Sequence, residues 1–227
     1  MNKLWLVVLI ASFNIGTLLA EHKEAERLSK SATVFGEIMS APDKALPRDL
    51  LDKAECVAII PSMKKGGFIV GGRYGKGMIS CRNKGKTAWG PPAMVILEGG
   101  SFGLQIGGAA VDVVLLIMNR SGIDSLLSSK VTLGGDASVA GGPVGRATTA
   151  ETDAAMKAKV LSYSRSQGVF AGLELKGSTL RQDKDADKAL YGKEIQARVI
   201  LTPGKVAVPA AAKPVITVLT KYSPKGK

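Results

Sequence analysis

Between Cys56 and Leu97 the chain carries seven basic residues, Lys64, Lys65, Arg73, Lys76, Arg82, Lys84 and Lys86, and no acid. The same stretch sets Ile59, Ile60, Ile69, Val70 and Ile79 among Gly66, Gly67, Gly71, Gly72, Gly75 and Gly77. β-branched residues favour strands, and closely spaced glycines break helices while permitting bends and close approach of a second backbone. Such a segment folds as twisted strands joined by tight turns, and its charge makes the resulting surface a landing place for anions.

The surplus charge is local. Of the formal +12, residues 56–97 contribute +7 and residues 203–227 contribute +5 through Lys205, Lys213, Lys221, Lys225 and Lys227. Clustered positive charge favours anionic membranes, nucleic acid or acidic partners. At 227 residues with 45% hydrophobic content the chain can bury one full core. Its single histidine, His22, lies near the start, so the body of the chain lacks the residue that most catalytic and metal constellations need. No enzyme, cofactor or metal centre is expected.

Residues 1–20 combine Lys3, an apolar run from Leu4 to Phe13, and Ala20 before polar Glu21, the pattern of a secretory signal peptide cleaved after Ala20. An uncleaved anchor is the alternative. An exported chain would be periplasmic or extracellular and peripherally attached to a membrane. There Cys56 and Cys81 are either a disulfide or two buried free thiols. A simple hairpin turning at Ser62–Lys65 would pair Cys56 with a residue near Gly72, so the thiols meet only if the glycine-rich strand bends.

From Glu21 to Ala41, Leu28, Ala32, Phe35, Ile38 and Met39 share one face of a helix that Pro42 ends. A short helix follows from Pro47 to Ala54. Apolar runs around Ala93–Leu97 and Ala109–Met118 read as buried strands, and residues 121–129 as a short helix. Repeated paired glycines from there to Ser178 point to an α+β fold: a strongly curved, Gly-rich antiparallel sheet or barrel-like core with flanking helices. A helix capped by an Asp is expected within residues 181–194. A linker over 194–213, a last helix over 214–222 opened by Pro214, and a frayed basic tail over 223–227 complete a single domain spanning 21–222.

Several motifs are near misses. GGRYGKG lacks the leading glycine and the Ser/Thr of a phosphate loop, because Val70 and Gly77 stand there. Asp183, Asp185, Asp187 and Glu194 match four positions of a calcium loop, but Lys188 replaces its turn glycine, and solvated acids around a helix cap account for them. Asp112, inside an apolar run, reads as a hydrogen-bonded structural carboxylate. Ser162, Ser164 and Ser166 have no histidine to activate them.

The run IIPSMKKGGFIVGGRYGKG, the Trp89–Pro92 WGPP, EGGSFGLQIGG followed by Asp112, LGGDASVAGGPVGR, YSRSQGVFAGLELKGS and ALYG together resemble the SYLF domain family over about residues 24–194. Asp187 departs from the pattern, which has Asn before the Tyr-Gly pair. The resemblance implies a module that binds anionic phospholipid, phosphoinositides in eukaryotic members, and an actin-binding role in fungal ones. It points by position to Lys64, Lys65, Arg73 and Lys76 as lipid contacts, together with an N-terminal amphipathic helix; the charge tally adds Arg82, Lys84 and Lys86.

The partner expected is therefore an anionic membrane surface, with an envelope protein as the alternative. A small-ligand barrel is a third reading. Phe68, Tyr74 and Trp89 lie among the bases as a nucleic-acid stacking platform would require, yet export makes nucleic acid an unsuitable partner.

Overall fold

The computed structural model describes residues 3–41, 46–67, 70–83, 85, 87–102, 109–119, 130–142, 158–166, 169–172 and 175–224. Side chains are described at all of these except 3–20, 67, 70, 101–102, 109 and 169–172. The helix expected over 121–129 lies outside them.

The apolar first stretch and the amphipathic segment after it form one helix, α1 (Lys3–Ser40). Its expected face is buried: Leu28 and Phe35 are fully covered, Ile38 and Met39 nearly so, and Ala32 packs beside them. Among the residues whose side chains are described, no helix is long and apolar enough to cross a membrane. Pro47 caps α2 (Arg48–Lys53), its carbonyl accepting from the N–H groups of Leu50 and Leu51.

Among the described residues nine strands make one strongly curled sheet: β1 (Cys56–Gly67), β2 (Val70–Cys81), β3 (Ala93–Phe102), β4 (Ala109–Ile117), β5 (Lys130–Thr132), β6 (Val139–Gly141), β7 (Val160–Ser166), β8 (Val169–Gly172) and β9 (Thr179–Gln182). Their order is β5-β9-β3-β2-β1-β4-β7-β6, with β6 and β8 sharing the outer edge of β7. The pairing is antiparallel as expected except between β6 and β7, which run parallel.

The β1–β2 hairpin does not turn at Ser62–Lys65. Both strands continue to Gly67 and Val70, so Cys56 and Cys81 become direct register partners with Cα atoms 4.0 Å apart, and their sulfurs are bonded. What lies at Pro61–Ser62 is a bulge. The register of β1 shifts by one residue against both β2 and β4 there, and Ser62 takes φ +50°. Proline brings no N–H to a ladder, so the extra residue sits where the ladder is already interrupted. Opposite the bulge β2 has Gly75 and Gly77, and a Cβ on Gly77 would come within 2.0 Å of the Ile59 carbonyl oxygen. Gly75 and Gly77 of GGRYGKG thus make room for the neighbouring strand.

Both faces of the sheet are buried, which explains the unbroken apolar runs of β1, β3 and β4. On one face Val57, Ile59, Met78, Met94, Val114 and Leu116 pack beneath α1 and α2. Ile60, Met63, Ile79, Leu97 and Val113 fill the other. The stretch expected as a linker contains a short helix, α4 (Ala197–Leu201), whose Ile200 and Leu201 plug that second face. Before it stands α3 (Lys184–Tyr191), capped by Asp183 as expected and ended by Gly192 at φ +70°. After a 3-10 turn at Ala210–Ala212, α5 (Lys213–Tyr222) lies against α1 with Pro214 in its first turn. The tail does not fray from 223: Ser223 is fully buried.

Candidate functional site

Alternation along the hairpin separates the basic residues expected to share a surface. Lys64 and Tyr74 are register partners, and so are Lys65 and Arg73, one position further out. With Met78 on the α1 side of the sheet and Ile79 on the other, the period of two puts Tyr74 and Lys76 on the α1 side and Arg73 on the opposite one. Lys64, Lys65, Arg73 and Tyr74 nevertheless converge at the outer end of the hairpin. There they line an open depression of about 550 Å³ with Gly66, Gly72 and Ala110. Tyr74 is 45% exposed, the most exposed large apolar side chain among the described residues. Burial, and then the charge of Arg73, lower the pKa of Lys65.

Lys76 turns inward. Its Nζ donates to Asp183 Oδ2 at 2.7 Å, across 107 residues of chain. Arg27 of α1 pairs with Glu24 and lies 3.7 Å from the same Asp183 oxygen. Two bases and two acids from α1, β2 and the start of α3 thus form an internal cluster, and burial pushes the Glu24 carboxyl above its ordinary range. Arg27 and Lys76 of the cluster line a groove of about 350 Å³ between α1 and the hairpin, together with Lys23, Glu26, Lys30 and Lys64.

Arg82 is not a surface contact at all. It is 3% exposed. Its Nε donates to the Ala54 carbonyl at 3.2 Å, Nη1 to the Ser223 carbonyl at 3.3 Å and Nη2 to Ser223 Oγ, while the guanidinium lies 4.0 Å from the centre of the Trp89 ring. Trp89 Nε1 donates to the same Ser223 carbonyl at 3.1 Å, and Ser223 Oγ donates to Asp52. A base and an indole that sequence alone offers as anion or nucleobase contacts instead fasten the C-terminal segment to the hairpin base. Lys84, Lys86 and Phe68 lie outside the described residues.

Three further motif residues, Tyr191, Asp112 and Asp187, serve the frame. Tyr191 Oη of ALYG donates to the Pro92 carbonyl of WGPP at 2.6 Å. Asp112 accepts from the Ser62 N–H at 2.9 Å and from Arg165 Nε and Nη2 at 3.2 and 2.9 Å, and Arg165 also pairs with Glu37 of α1. That one carboxylate therefore holds the bulge and ties it through β7 to α1. Among the described residues no three His, Cys, Asp or Glu side chains converge as a metal site would require. Asp183 and Asp187, expected as solvated acids around a helix cap, are instead buried, each with its own internal partners.

Asp187 is fully buried, accepting from the Met94 N–H at 2.7 Å and from Gln182 Nε2 at 2.6 Å. Burial is the main reason its pKa rises from an ordinary 3.8 to about 7, with Asp183 and Glu24 adding repulsion and the two hydrogen bonds opposing it. Between those values the folded protein holds a proton that the unfolded chain has released. Stability from this group is full below 3.8 and is lost as pH rises through about 7, on the order of 4 kcal/mol across the window. Asp187→Asn removes the titration. Urea midpoints should favour the variant, relative to the parent, more at pH 8 than at pH 5; a difference that does not change with pH would contradict this assignment.

Comparison with known proteins follows the same outline. A family model described as "Ysc84: Las17-binding protein actin regulator" matches residues 98–222. LAS seventeen-binding protein 3 of Saccharomyces cerevisiae is 33% identical over 206 residues, which cover 89% of this chain and 44% of that protein. SH3 domain-containing YSC84-like protein 1 of Mus musculus is 33% identical over 206 residues, covering 89% and 59%. Its counterpart in Xenopus laevis is 31% identical over 210 residues, covering 92% and 62%. The chain spans about half the length of the relatives it matches. The ordered motifs, the curled sheet they build and a family match over more than half of the residues agree: the chain belongs to the Ysc84, or SYLF, family.

Proposed function

We propose that the chain is a non-catalytic binding module that attaches to anionic phospholipid surfaces through the outer end of the β1–β2 hairpin. The observation that carries this reading is the tip itself, where two successive register pairs place Lys64, Lys65 and Arg73 around a half-exposed Tyr74. A tyrosine suits the boundary between headgroups and acyl chains, having an apolar ring and a polar end. Each base near a negative bilayer contributes about 1 kcal/mol, and salt removes much of it. Lys65, whose charge is penalised by burial and by Arg73, is relieved by a negative neighbour.

Co-sedimentation of the full chain with phosphatidylglycerol-containing vesicles tests the reading. Binding should fall at least about tenfold in Lys64→Ala/Lys65→Ala/Arg73→Ala, fall again in high salt, and be absent on neutral phosphatidylcholine. No binding to either vesicle would overturn it. Intact mass of the exported protein reads the leader in the same preparation, since a signal ending at Ala20 leaves a chain that begins at Glu21. A protein partner is the second reading, favoured by the family's description as Las17-binding actin regulators. It predicts co-sedimentation with actin filaments that needs no lipid.

A further inference from the structure

At the Pro61–Ser62 bulge two residues of β1 stand against one of β4. Ile60 pairs with Val113 and Met63 with Val111, which leaves Asp112 alone opposite Pro61 and Ser62. Side chains alternate along a strand, so one extra residue transfers everything beyond it to the other face. Ahead of the bulge Val57 and Ile59 face α1, while Ala58 and Ile60 face away. Continued without interruption, that alternation would turn Met63 and Lys65 toward α1 and Lys64 toward the opposite core. The side chains do the reverse. Met63 is buried in that opposite core, the exposed Lys64 pairs with Tyr74, and Lys65 is left with Arg73. The bulge thus decides which lysine stands beside the exposed tyrosine.

The bulge also has to be held. Ser62 takes φ +50°, a left-handed conformation that a residue with a Cβ keeps only where its surroundings impose it. Pro61 brings no N–H, and the N–H of Ser62 goes to a side chain, Asp112 Oδ1, at 2.9 Å. Asp112 Oδ2 accepts from Arg165, its register partner on β7, and Arg165 pairs in turn with Glu37. The carboxylate that grips the bulge is therefore itself fixed from β7 and α1.

We propose that Asp112 is the positioning residue of the hairpin tip: by holding Ser62 it fixes the bulge, and with it the face on which Lys64, and not Lys65, meets Tyr74. It touches no ligand and acts through Ser62. This role rests on the surface-binding reading for what the tip binds, and on the register for how the tip is arranged.

Two readouts keep those apart. In NMR spectra of the full chain, nuclear Overhauser contacts should link the Lys64 side chain to the Tyr74 ring, and Asp112→Ala should weaken them. Binding to phosphatidylglycerol-containing vesicles should drop about fivefold in the same variant. Arg165 keeps Glu37 as its partner there, so no charge is stranded and the fold should persist. Ser62→Gly, added to Asp112→Ala, should restore most of the contacts and of the binding, because glycine adopts a positive φ without being held. A carboxylate that only stabilised the sheet would not be replaced in this way. Should Asp112→Ala alone fail to fold, recovery of the folded spectrum on adding Ser62→Gly carries the same result, and no recovery overturns the proposal. In a chain that binds vesicles, contacts or affinity left unchanged by Asp112→Ala overturn it, and so does a loss that Ser62→Gly does not restore. A parent that binds no vesicle ends the surface reading alone, and the Lys64–Tyr74 contacts then decide the positioning role.

Discussion

Gly77→Ala is expected to cost about 4 kcal/mol or more, enough to unfold a domain of ordinary stability. The new methyl group would lie 2.0 Å from the Ile59 carbonyl oxygen, 2.9 Å from its carbon and 2.8 Å from the Ile60 Cα. All three are backbone atoms of β1, so no rotamer change relieves the contact. β1 would have to move off β2, and it is the strand that also carries β4. Gly75→Ala should be milder, because its methyl meets side-chain atoms of Ile60 and Met63, at 2.5 and 2.9 Å. Gly72→Ala supplies the control: nothing lies within 4 Å, and stability should stay within about 0.5 kcal/mol. Urea denaturation of the three variants ranks them. Gly77→Ala within 1 kcal/mol of the parent would show that the bulge does not lean on that glycine.

Arg82→Ala should lose about 3–5 kcal/mol, the range for removing one partner from a buried charge network. Ala54 and Ser223 lose the guanidinium hydrogen bonds, Trp89 loses the group stacked on its face, and Asp52 and Glu55 lose a nearby positive charge. For a domain of this size that loss lowers the melting temperature by about 10 °C. Arg82→Lys should recover little, because an ammonium cannot span two residues as a planar fork does. Lys64→Ala, an exposed change on the same hairpin, should leave the melt in place. If Arg82→Ala melts within two or three degrees of the parent, the C-terminal segment is held by α5 packing instead.

Local features were legible without coordinates. The α1 face from Leu28 to Met39 follows from helical spacing, the Asp183 cap from a short acceptor before a helical run, and the start of α5 from a proline that suits a first turn. Asp112 was readable as a bonded carboxylate because an acid in an apolar strand must find donors. The length of the β1–β2 hairpin was not. A turn and a bulge draw on the same residues, and only the space over Gly75 and Gly77 distinguishes them. α4 was missed because five residues are too few to show a period.

The charges divide along the same line. The sequence by itself determined that the segment from Cys56 to Leu97 is basic, acid-free and built of glycine-rich strands. It also determined which family motifs follow, since each is written in adjacent residues. Which bases face water was decided only by the tertiary structure. Lys76 meets an acid 107 positions later, and Arg82 meets a serine 141 positions later. Burial belongs to the partner as much as to the residue, and those partners arrive only when the sheet curls and the last helix closes over it.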